Sequence, residues 1–194
     1  AWHPQTQKVY IFKTAHHARL KNDYKELAID AALATAAAPS YFKEHIKQDD
    51  VGLIDGGVWA NNPTGLAVVE ATGMLGWPAD KIRVLSLGCL EDTQSFKGSY
   101  GKLGIARHLV PMFMSGQSHG SLGVAKILLG HPHESHAIHR VSQPVRYGEF
   151  TLDNTQLIRK LKDRGLVEAR EQQPILEPIF FAEPIKPFTP EYGV

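Results

Sequence analysis

The chain has 194 residues, 43% hydrophobic and 21% charged, with a formal net charge of +1. That is enough for one domain with a real core, or for most of a larger one. No basic stripe marks a nucleic-acid binder, and no apolar run approaches the ~20 residues needed to cross a bilayer. A single cysteine, Cys89, excludes an internal disulfide and suits a reducing compartment. No signal-peptide pattern is seen, so a cytoplasmic or peripheral membrane location is expected.

In chain order, "KVYIFKT" (8–14) reads as a strand whose only hairpin partner would lie before the polar turn "HPQTQ" (3–7). A strand starting so abruptly leads us to expect further sequence upstream. "NDYKELAIDAALATAAAPSYF" predicts a helix with Asp23 as N-cap and Glu26 three residues on. Pro39 stops it, and its short side chains suit close packing on a neighbour. "VGLID" (51–55) predicts a short strand ending in Gly56-Gly57. "NNPTGLAVVEA" predicts a helix with Asn62 as N-cap and Pro63 at its first position.

"KIRVLSLG" (81–88) has the continuous apolar character of a strand buried on both faces of a parallel sheet. "IARHLVPMFM" and "SLGVAKILLG" both carry helical spacing, separated by "SGQSHG". "HAIHRVSQPV" predicts a strand, and "LDNTQLIRKLKDRG" a helix capped by Asp153 and ended by Gly165. Prolines at 174, 178, 184, 187 and 190 predict a meandering tail over 174–194. Alternating strands and helices give the α/β class with a mostly parallel sheet, and no internal linker divides residues 1–194.

"IDGGVWANNP" (54–63) is the densest candidate site. Asp55 sits where a strand gives way to glycines, which allow a tight turn with positive φ. Ligands of open α/β sheets gather at that carboxyl edge. Partly desolvated by Val51, Leu53, Ile54 and Trp59, the Asp55 carboxylate could serve as a general base. The alternative is an Asp-Gly turn in which Asp55 only bonds its own backbone.

The order "DAALATAAAPSYF", "LIDGGVWANNPTGLAVVEA", "VLSLG" resembles the patatin-like phospholipases, strongly over Asp30–Gly88 and more loosely over 100–170. The resemblance implies a three-layer α/β/α fold, here incomplete on its N-terminal side. It implies a lipid acyl hydrolase of the phospholipase A or lysophospholipase type, acting at a membrane surface through a Ser-Asp dyad. Asp55 matches the family's catalytic aspartate, Gly56 and Gly57 its turn, and Asn61 and Asn62 residues that brace the following loop and helix. The family's serine stands in G-x-S-x-G upstream of the aspartate, after a glycine-rich loop, and neither precedes Asp55 here. A missing N-terminal segment with that serine is therefore an expected partner. The resemblance implies no cofactor.

"GQSHG" (116–120) does match G-x-S-x-G, but "ARHLVPMFMSG" before it has helical spacing rather than a buried strand. Ser118 with His133 or His139 is thus a rival hydrolase reading, and a non-catalytic scaffold binding lipid or a protein is another. His131, His133, His136 and His139 crowd "HPHESHAIH", yet their spacing fits no zinc motif, and no metal is expected. Cys89 reads as structural, Ser86 as a sheet residue near the site's edge, and Tyr41, Phe42 and Trp59 as packing around the Asp55 turn.

Overall fold

The computed structural model describes residues 1–93, 102–130, 137–151 and 153–191, with side chains from 108 onward in the second segment. Strands β1 (Trp2–His3) and β2 (Lys8–Val9) form an antiparallel hairpin around the predicted polar turn. Helix α1 is Ala28–Ala36. The expected cap at Asp23 is not used. Asp23–Lys25 is a separate 3-10 turn, and Glu26 is extended, its carboxylate on Lys47 Nζ at 2.7 Å. That buried ion pair competes with the capping box and wins. Lys47 Nζ also donates to Tyr10 OH (3.0 Å) and Asp49 (3.2 Å). Burial alone would lower the Lys47 ammonium, but these bonds outweigh it and hold its pKa above the ordinary value.

Only Ala34 of α1 is fully buried, and Ile29 and Leu33 face outward, so the close packing expected of this helix is confined to one side. Strands β3 (His45–Ile46) and β4 (Gly52–Leu53) pair antiparallel. Helices α2 (Gly57–Ala60) and α3 (Thr64–Val69) follow, and a π-helical turn, Glu70–Met74, extends α3.

The longest pairing is parallel, between β5 (Val84–Thr93) and β6 (Ile138–Arg146), with a register irregularity between Leu87 and Leu90. Its polypeptide environment is α/β: helices lie on both faces. Val68 and Ala71, Ala125 and Leu129 of the helical layer pack with Ile82 and Ile138 in one buried cluster. The opposite face, carrying Leu85 and Leu87, looks toward α5 (Ile158–Leu176) across a cavity. β5 is consequently not buried on both faces as predicted. Ser86 is buried while Leu87 is 71% exposed, because among the described residues β6 is its single strand neighbour and α5 stands off.

Two helices are longer than predicted. "IARHLVPMFM", "SGQSHG" and most of "SLGVAKILLG" form one helix, α4 (Lys102–Leu128), running through Pro111. Helix α5 passes Gly165 and includes Pro174, so the predicted tail begins inside a helix and continues as a π-helical turn, Glu177–Phe181. Its entry is capped by Asn154, whose side chain accepts from Gln156 N, rather than by Asp153. Cys89 is exposed in the irregular stretch of β5, not structural.

Candidate active site

Asp55 is fixed by backbone pairing on two sides and by its own carboxylate on a third. Ile54 exchanges hydrogen bonds with Trp2 (2.8 and 2.9 Å), extending β4 onto the hairpin. The Asp55 N–H donates to Ala37 O, at the end of α1, at 3.0 Å. The Asp55 carboxylate then turns back: Oδ1 accepts from Gly57 N at 2.7 Å, where α2 begins. This is the local side-chain bond that lets aspartate start a turn or helix. It occupies one carboxylate oxygen and sets the side chain's direction, leaving acceptor capacity on the other.

The glycines do not use positive φ. Gly56 is right-handed, at φ −69°, and neither glycine is among the positive-φ residues. Their requirement is space instead. A Cβ on Gly56 would lie 3.1 Å from Ala1 N, and one on Gly57 3.3 Å from Asp55 Oδ1. Trp59 holds the turn from outside, its Nε1 donating to Ala1 O at 3.1 Å. Tyr41 and Phe42 do not pack there as expected. Their N–H groups bond to Ala38 O in a turn after α1 that leaves both rings exposed.

Beyond α2 the two asparagines part company. Asn61 is exposed at the end of α2, while Asn62 is 3% exposed and fully engaged. Asn62 Oδ1 accepts from Thr64 N (3.1 Å) and Thr64 Oγ1 (2.6 Å), and Nδ2 donates to Ser118 Oγ (3.1 Å). With its proton spent on Asn62, Thr64 Oγ1 receives that of Ser86 Oγ at 2.7 Å, and Ser86 accepts from Arg140 Nη1 at 2.9 Å. A directional chain of bonds thus runs from β6 through β5 to the start of α3 and on to α4. Arg140 is charge-balanced at the surface by Glu91, 3.1 Å away.

Sequence reasoning missed Thr64 and Arg140. Asn-x-Thr at the helix entry was a usable signal, since asparagine side chains bond the backbone two residues on. Nothing local announces Arg140, whose role comes from its register opposite Ser86. The pair His45 Nε2–Asp30 Oδ1, 2.8 Å apart and half-buried, was missed for the same reason.

Residues 1–68, the segment that contains the hairpin, α1 and the Asp55 turn, match the family model described as patatin-like phospholipase. This segment is similar to the patatin-like phospholipases. The chain is 36% identical over 111 residues, 52% of its length, to the cGAMP-activated phospholipase of Vibrio cholerae, of which it covers 31%. It is 44% identical over 66 residues to the Escherichia coli protein of that name, covering 34% of this chain and 18% of that one. The Pseudomonas aeruginosa counterpart is 35% identical over 95 residues, 48% of this chain and 28% of the relative. The chain therefore spans less than a third of the length of these relatives. No solved structure matches it significantly.

Ser118 sits in the interior of α4, buried against Asn62, and not on a strand-to-helix turn. His139 lies beside the edge of Phe180 (5.6 Å between ring centroids), on the α5 side of the sheet. The structure does not bring Ser118 and His139 together. His131, His133 and His136 lie outside the described residues. Among the described residues no three His, Cys, Asp or Glu side chains could hold a metal ion, and no helix is long and apolar enough to cross a membrane.

Proposed function

We propose that this chain carries the aspartate half of a patatin-type Ser-Asp dyad in a lipid acyl hydrolase of the phospholipase A or lysophospholipase type. The observation behind it is the Asp55 carboxylate, held at a strand-to-helix turn inside the segment that matches the family, with one oxygen fixed by Gly57 N–H. In the full-length protein an upstream segment supplies the serine. Asp55 takes the serine's proton as its oxygen attacks the acyl ester carbonyl, and the alcohol or lysolipid leaves. Water then cleaves the acyl-enzyme and returns the serine. The substrate is a phospholipid presented at a membrane surface, reached peripherally. The names of the three relatives support a further element, activation of the full-length protein by cGAMP.

The test is Asp55→Asn in the full-length protein, assayed on phospholipid vesicles with and without cGAMP. Asparagine keeps an oxygen to accept from Gly57 N–H, so the melting temperature should hold. It cannot take the serine proton, and general-base catalysis is worth about 10²–10⁴ in rate. A near-normal kcat would remove Asp55 from the mechanism. A full-length protein that hydrolyses no lipid ester under either condition would favour the non-catalytic scaffold.

A further inference from the structure

The cavity between the β5–β6 pair and α5 has a volume of about 860 Å3, within the range of small-molecule sites, ~300–1,000 Å3. Its walls are mostly apolar: Leu85, Leu87 and Val141 from the sheet, and Leu161, Leu176 and Phe181 from α5 and the turn after it. One cationic group breaks this pattern. Arg164 lines both this cavity and the adjoining polar cleft, where Lys160, Asp163 and Glu171 also sit. Its Nη1 is buried and has no hydrogen-bond partner, although the guanidinium lies over the Phe150 ring at 5.5 Å. Glu149, outside the cavity, interacts with the Arg164 charge, but no carboxylate bonds Nη1. Glu168 is engaged by the amides of Gln143, on Oε2, and Gln172, on Oε1.

A buried, unpaired donor on a cation is costly unless an acceptor fills the place. Where a mostly apolar cavity adjoins a polar cleft at Arg164, the acceptor that fits is an anionic head on an apolar chain. From Arg164 to Leu176 the wall formed by α5 runs about 18 Å at 1.5 Å per residue, room for an extended long acyl chain. Gly165 also lines the cavity, and a Cβ there would meet nothing within 4 Å, so the helix leaves the space open.

We propose that this cavity binds a long-chain fatty acid, with its carboxylate on Arg164 and its chain between the sheet and α5. The hydrolysis proposed above would release such an acid, and in that sense the inference rests on that reading. Binding itself needs no turnover, so the two can fail separately.

The experiment is equilibrium dialysis of the full-length protein against radiolabelled oleate below its micelle concentration, with oleyl alcohol as the uncharged probe. Saturable one-to-one oleate binding is expected. Arg164→Gln should weaken oleate at least tenfold and leave oleyl alcohol within about twofold. Gly165→Leu, which puts a side chain into the open space and favours the helix, should abolish binding of both with circular dichroism unchanged. Absence of saturable oleate binding, unaltered binding in Gly165→Leu, or equal losses of both probes in Arg164→Gln would each overturn the proposal.

Discussion

Replacing Asn62 by alanine removes the junction between α3, α4 and the sheet. Asn62, Thr64 and Ser118 are 3%, 5% and 8% exposed, so water cannot replace the lost partners. The Thr64 and Ser86 hydroxyls, 2.7 Å apart, keep the one bond between them whichever of the two donates. Thr64 N–H has no such neighbour and becomes a buried orphan donor, at a cost of about 1–3 kcal/mol. Ser118 Oγ loses a donor, and the deleted amide leaves a small void, each adding about 0.5–1 kcal/mol. The sum is about 3 kcal/mol, which for a chain of this size lowers Tm by about 6–12 °C. Urea denaturation of the protein and of Asn62→Ala, followed by circular dichroism, measures it. A loss below about 0.5 kcal/mol would mean that the Asn62 bonds are not formed or are not buried, and the bracing role would fall with them.

Three further outcomes follow from named contacts. Gly65→Ala places a Cβ 2.8 Å from the backbone oxygen of Ser121; overpacking of about 1–3 kcal/mol should exceed the gain of about 1 kcal/mol in helix propensity. Gly73→Ala, with open space around it, should not destabilise, and equal Tm values for the two variants would refute the close approach of α3 to α4. Ser118→Ala should keep lipid hydrolysis by the full-length protein within a few-fold, and labelling of Ser118 by a fluorophosphonate, located by peptide mass spectrometry, would revive it as nucleophile. Glu70 is pulled below its ordinary pKa, since hydrogen bonds from Lys13 (2.6 Å) and His16 (2.9 Å) outweigh its desolvation. A depressed folded-state value means stability present above the ordinary carboxylate pKa and lost as pH falls through the folded one. The stability advantage over Glu70→Gln should therefore be full at neutral pH and shrink below about pH 4.5, and an advantage independent of pH would contradict the pairing.

The parallel strand pair and the Asp55 turn were legible because their signals are local, an apolar run and an Asp-Gly-Gly step. The strand expected over 8–14, by contrast, is confined to Lys8–Val9, and β3 was not expected. What the sequence misjudged was decided by distant partners. Helix α4 continues through "SGQSHG", a stretch of poor helix formers, because Ser118 is tied to Asn62 and Ser121 Oγ accepts from Gly65 N at 2.8 Å. Ser118 and Ser121 fasten α4 to the start of α3, and the close approach is made at Gly65 of α3, while Gly116 and Gly120 meet nothing within 4 Å. Gly165 reads as a stop for α5, but a helical glycine costs only about 1 kcal/mol, and the turns beyond it carry the buried Leu176. Glu26 reads as a capping residue until Lys47, far along the chain, claims its carboxylate.

The same distinction bears on Asp55, for which turn-forming and catalytic readings stood as alternatives. The geometry makes them compatible. A general base must be aimed before it is useful, and the Gly57 N–H bond to Oδ1 aims it while consuming only one oxygen. The base of that aim is rigid on both sides. Upstream, Asp55 N–H is anchored on α1 through Ala37 O; downstream, the short helix α2 ends at Asn62, whose bonds reach α3, α4 and, through Thr64 and Ser86, the parallel sheet. That fastening gives the Asp55 carboxylate the fixed position on which the proposed proton transfer from a serine would depend.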